Sequence, residues 1–147
     1  MAITLKHRKF ALLGLVVALG GFSACSRTPR RPLNAPPTAE EKAYFQNIEV
    51  SGARMTAAEN FLNQRVVTLT AQVSNRGTKA VTALRLKLEF TGIAGTADKV
   101  ATAEPIDRAT SPLAPGETRT FSVSFDQMPD DWNQAPPRIQ VEGLRLP

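Results

Sequence analysis

The chain has 147 residues, 42% hydrophobic and 21% charged, with 18 Lys and Arg against 13 Asp and Glu, 1 His and 1 Cys. A lone cysteine excludes an internal disulfide, and this length supports one domain with a modest core. The basic excess lies near the start: from Tyr44 onward 11 basic residues face 11 acidic ones, so the folded part lacks the charge that a nucleic-acid partner requires.

Residues 1–9, MAITLKHRK, contain Lys6, Arg8 and Lys9 and no acid; the apolar run Phe10 to Phe22 follows, then Ser23 and Ala24. A positive start, a short apolar run and small residues form the layout of a secretory signal peptide. A transmembrane helix is the competing reading. An apolar run of this length covers about 20 Å, less than the roughly 30 Å hydrocarbon core, and Gly14, Gly20 and Gly21 weaken a helix there. Residues 1–24 are therefore read as a cleaved signal. Phe22-Ser23-Ala24-Cys25 resembles the lipobox of bacterial lipoproteins. That resemblance implies cleavage before Cys25, a diacylglycerol on its sulfur and acylation of its new amino group. Two or more acyl chains anchor a protein stably where one does so marginally. The other readings of Cys25 are a free or a catalytic thiol, but the sole histidine, His7, lies in the segment to be removed, and a catalytic thiol needs a base. Lipidation is the expected role. Ser26 after Cys25 resembles lipoproteins sent to the outer membrane, so the expected location is the cell membrane, facing the periplasm from the outer membrane in a bacterium with two.

Residues 25–43 read as a linker: Ser26 to Lys42 holds four prolines, and Leu33 is its one large apolar residue, so it cannot bury a core. Arg27, Arg30 and Arg31 either keep the tether soluble or attract an anionic leaflet. From Tyr44 the texture becomes β alternation, and the folded body is expected over 44–147. Ile48 and Val50 alternate with Glu49 and Ser51. Between Ser51 and Gln64, Thr56-Ala57-Ala58-Glu59 has the spacing of a capping box, which predicts a helical turn or an ordered loop. Val67, Leu69, Ala71 and Val73 then share one strand face, and Leu84, Leu86, Leu88 and Phe90 another. Asn75-Arg76-Gly77-Thr78 between these runs reads as a turn, with Gly77 free to take positive φ, and the two runs as a hairpin. Lys99 to Ala103 is expected as a short strand. Pro115-Gly116 suits the centre of a type II turn before the strand Phe121, Val123, Phe125. Ile139 and Val141 form the last strand, whose pattern slips at Gly143 in the manner of a β-bulge. Six or seven short strands with regular turn signals predict an all-β fold, an immunoglobulin-like antiparallel β-sandwich.

Ala58 to Gln64, Gln72 to Val81, Leu86 to Phe90, Pro112 to Phe125 and Asp130 to Val141 together resemble small bacterial β-sandwich domains of unknown function, akin to the FxLYD-type extracellular domains. Such domains often stand behind a membrane anchor. The resemblance implies a fold and a location and brings no catalytic residues.

Glu59, Glu89, Glu104, Asp107 and Glu117 are spread singly along the chain, and no Gly-rich phosphate loop or nucleophile elbow accompanies them. No enzyme, no cofactor and no metal are expected. Asp126, Asp130 and Asp131 form the densest acidic spot, a turn composition that leaves cation binding open. Trp132 beside them is either a plug for the core or a recognition residue. The expected function is a membrane-anchored envelope protein whose sandwich binds another envelope protein or supports an assembly, with Phe61, Leu62 and Trp132 as the contact surface. A glycan- or cation-binding module is the alternative, and a hydrolase a further one.

Overall fold

The computed structural model describes residues 31–59, 61, 64–95 and 97–147. The expected signal peptide, Cys25 with the first linker residues, and Leu62 lie outside the described residues. A short helix α1 (Ala39–Tyr44) and a 3₁₀ turn (Phe45–Asn47) lead into six strands: β1 (Ile48–Glu59), β2 (Arg65–Asn75), β3 (Ala83–Thr91), β4 (Ala97–Ile106), β5 (Thr118–Phe125) and β6 (Arg138–Arg145). They form two three-stranded antiparallel sheets, ordered β1-β2-β5 and β4-β3-β6. The fold is the expected all-β sandwich.

Alternation drives the layers together. Leu84, Leu86, Leu88 and Phe90 of β3 point inward with no exposed surface, opposite Leu69 and Val73 of β2, which are equally buried. Each such side chain contributes roughly 1.5–3 kcal/mol of burial. The slip read at Gly143 is present: Arg85 pairs with Gly143 but Leu86 with Val141, which leaves Glu142 as the extra residue. Gly116 has φ +75°, and Glu117 N–H donates to Ala114 O at 3.0 Å, the type II turn read from Pro115-Gly116.

Three expectations are corrected. First, β2 and β3 do not form a hairpin; they belong to different sheets, and the chain crosses between layers at Asn75 to Thr82. Gly77 is needed there for space and not for a left-handed backbone, because a β-carbon on it would meet the Tyr44 ring. Second, Thr56 to Glu59 is strand, paired with Arg65 to Thr68 in the β1–β2 hairpin. A bulge at Gly52, φ +65°, shifts the register between Ser51 and Arg54. It moves the inward positions from Ile48 and Val50 to Ala53 and Met55, which breaks the alternation that marks a strand.

Third, residues 31–43, assigned to the linker by composition, are folded onto the body. Thr38 caps α1 reciprocally: Glu41 N–H donates to Thr38 Oγ1 at 3.1 Å, and Thr38 N–H donates to Glu41 Oε2 at 2.7 Å. Arg145, 6% exposed, donates to the carbonyls of Pro32 and Ala35, each at 2.6 Å, and to Glu41 at 3.2 Å. A buried guanidinium demands acceptors, and this segment supplies them.

Candidate functional site

The sandwich has two unlike ends. At the first, Tyr44, Asn75 and Arg145 gather the incoming chain. Asn75, fully buried, donates through Nδ2 to Lys79 O at 2.8 Å and Leu113 O at 3.1 Å, and its Oδ1 lies 2.9 Å from the Tyr44 hydroxyl. Beside this hub runs a groove of about 920 Å³ whose walls include Arg31, Leu33, Arg85, Arg108 and Leu146. Its charges are largely matched internally. Arg85 grips Glu104 Oε1 through two nitrogens at 2.9 and 2.6 Å, and Arg31 joins Arg145 on Glu41. Burial pushes the Arg145 guanidinium below its ordinary pKa, an effect that Glu41 opposes. This end is built to hold the chain.

The second end gathers the β1–β2 turn, the β3–β4 turn and the β5–β6 connection. There the core closes with aromatic rings: Phe90 meets Phe125 edge-on at 5.0 Å and Trp132 at 6.5 Å. The Lys99 ammonium lies 5.2 Å from the Phe125 ring centre and donates to Gln127 O. Gln134 adopts φ +61°, which curls the connection so that the Trp132 indole N–H donates to Ala135 O at 3.1 Å. Gly92 bridges to Trp132, and Ile93 N–H donates to Asp131 O at 2.8 Å. The β3–β4 turn is thus fastened to the acidic turn. A shallow hollow lies alongside, bounded by Arg65, Val67, Asp126, Asp130, Trp132 and neighbouring residues.

Among the described residues, Phe61, wholly exposed, and Ile93, 81% exposed, are large apolar side chains that stand out from this end. Thr56 to Glu59 and Arg65 are exposed as well, so the β1–β2 hairpin projects beyond the body and carries Phe61 at its turn. Of the expected contact residues, Phe61 is therefore free for a partner, while Trp132 is half-buried with its ring against Phe90. Leu62 and Cys25 are outside the described residues. Sequence reasoning passed over Ile93, although an apolar residue between Gly92 and Gly95 in a turn is a readable signal.

The scattered carboxylates have local duties. Glu89 pairs with Lys87 and Glu104 with Arg85, and Asp107 accepts from the N–H groups of Ala109 and Thr110. Glu117 accepts from Ala114 N–H at 2.7 Å and pairs with Arg119 at 2.5 Å; these bonds hold its carboxyl below the usual range. Among the described residues no three His, Cys, Asp or Glu side chains converge on a possible metal position, and no helix is long and apolar enough to cross a membrane. In comparisons with known proteins, no family model, no curated protein and no solved structure matches the chain.

Proposed function

We propose that the chain is a lipid-anchored cell-envelope protein whose sandwich presents its far end to a partner protein. The observation that carries this reading is the polarity of the body. The chain enters at the Tyr44–Asn75–Arg145 end, whereas Phe61 and Ile93 are exposed at the other. The 11 residues of β2 separate the two ends, about 35 Å at strand rise. With a lipid on Cys25, the tether side faces the bilayer and the apolar turns face away from it. Apolar side chains presented at two turns suit insertion into pockets of another protein, the mode in which aromatic anchors carry binding.

Two measurements test the parts separately. Cys25→Ser removes the lipid acceptor, so labelled fatty acid should no longer be incorporated and the protein should leave the membrane fraction. A wild-type chain that takes up no label defeats the anchoring half. Cross-linking in cells through a photoreactive residue at Ile93 should capture a discrete protein partner, and Phe61→Asp should abolish that adduct. An adduct unaffected by Phe61→Asp defeats the contact half.

A further inference from the structure

Two three-stranded sheets have four outer strands, here β1 and β5 in one and β4 and β6 in the other. An outer strand offers a row of unpaired backbone donors and acceptors, which proteins blunt with bulges, prolines, charges or covering segments. Three of the four are blunted. β1 has the Gly52 bulge and the charges of Glu49, Arg54 and Glu59. β4 has two register breaks against β3 and carries Pro105, which has no N–H to offer. β6 has the bulge at Glu142–Gly143, follows Pro136-Pro137, and is flanked at its end by the 31–35 segment bonded to Arg145.

β5 carries one charge but neither a bulge nor a proline. Thr118 to Phe125 pairs with β2 in unbroken register, and contains neither Pro nor Gly. Its single charge, Arg119, is occupied by Glu117, by Ser111 O at 2.7 Å and by Pro112 O at 3.2 Å. Among the described residues the strand pairs with β2 alone.

We infer that β5 is a self-association edge, on which a second copy of this chain pairs its own β5 antiparallel about a two-fold axis at Ser122. The sequence of the strand is what selects a second copy. Residues directly opposite in an antiparallel pair share a face, so a symmetric pairing that keeps both cores on one side joins residues of equal parity. Centred on Ser122, it sets Phe121 opposite the partner's Val123, Thr120 opposite the partner's Ser124, and Ser122 opposite itself. Two aromatic–β-branched pairs arise on the core face, of the kind that stabilises sheets. On the other face the pairing extends hydroxyl rows already present within one copy, Thr70 with Ser122 and Thr68 with Ser124, each at 3.1 Å. Arg119 falls opposite the partner's Phe125, so the two Arg119 side chains are not set against each other. The product is a continuous six-stranded sheet. This surface is separate from the Phe61 and Ile93 end and does not depend on the function proposed above.

The full-length chain tests the inference. Ser122 is exposed, so Ser122→Cys places two thiols across the axis. In a Cys25→Ser background, mild oxidation of the purified protein should give a covalent dimer that neither the Cys25→Ser chain nor its Thr56→Cys variant on β1 gives. In detergent, the unaltered chain should sediment at about twice its monomer mass, and Ser122→Lys, which opposes two like charges, should halve that mass without changing the circular dichroism. A monomeric unaltered chain, a dimer that survives Ser122→Lys, or a Ser122→Cys cross-link no stronger than that of Thr56→Cys would overturn it. So would capture of another protein's extended segment by a monomeric β5.

Discussion

The Tyr44 hydroxyl lies so near Gly77 that a β-carbon there would sit 2.1 Å from the phenol oxygen. Such a clash is mild where the obstructing side chain can swing away. Tyr44 cannot: its oxygen is 2.9 Å from the buried Asn75 Oδ1, 2.8 Å from Lys79 O, and accepts from Lys79 N–H at 3.0 Å. Gly77→Ala should therefore destabilise the fold by about 2–3 kcal/mol through overpacking and lost bonds. The measurement is the urea midpoint, with an unchanged slope; an unchanged midpoint contradicts the packing described.

Glu41 serves three partners, the Thr38 N–H, Arg31 and the buried Arg145. Removing it in Glu41→Ala strands a guanidinium away from water and should cost about 3 kcal/mol. Adding Arg145→Met removes the stranded charge, so the double variant should unfold at a higher temperature than Glu41→Ala alone. If the two losses simply add, the ion pair is not what secures the segment.

Acid should weaken the protein through Glu117. Its carboxyl is held below the usual 4.5, first by the Ala114 N–H and then by Arg119. A group with a depressed folded pKa stabilises above its unfolded value, and that contribution disappears as pH falls through the folded one. The melting-temperature gap between wild type and Glu117→Gln should be widest at neutral pH and close below the ordinary carboxylate range. A gap that stays constant in acid would sink this assignment.

Phe61 and Trp132 should separate cleanly by substitution. Trp132→Ala removes the ring that packs edge-on to Phe90 and the indole bond to Ala135 O, with an expected loss of about 2–3 kcal/mol. Phe61→Ser touches a wholly exposed side chain and should leave the melting temperature unchanged within about 0.5 kcal/mol equivalent. Equal effects on stability would mean that the hairpin turn packs against the body.

How much of this was legible beforehand depended on whether a segment's pattern was local. Strands β2, β3 and β5 declare themselves because every second residue enters the core. The type II turn at Pro115-Gly116 and the slip at Gly143 are equally local. The spacing Thr-x-x-Glu occurs twice, at Thr38–Glu41 and Thr56–Glu59, and only the first caps a helix. The second lies opposite Arg65 to Thr68, and that cross-strand partner outweighs the helical preference. The exposed end was half visible, through Phe61 but not Ile93. The Arg145 clamp was hidden because its acceptors are main-chain carbonyls more than a hundred residues away.

That clamp has a mechanical corollary. Tension drawn along the N-terminal segment reaches Arg145 on β6 before it reaches α1, and then passes through Tyr44 to Asn75 on β2. One layer of the sandwich is gripped by the guanidinium and the other by the phenol. A pull on the tether therefore loads both layers together and does not peel β1 away from its neighbours.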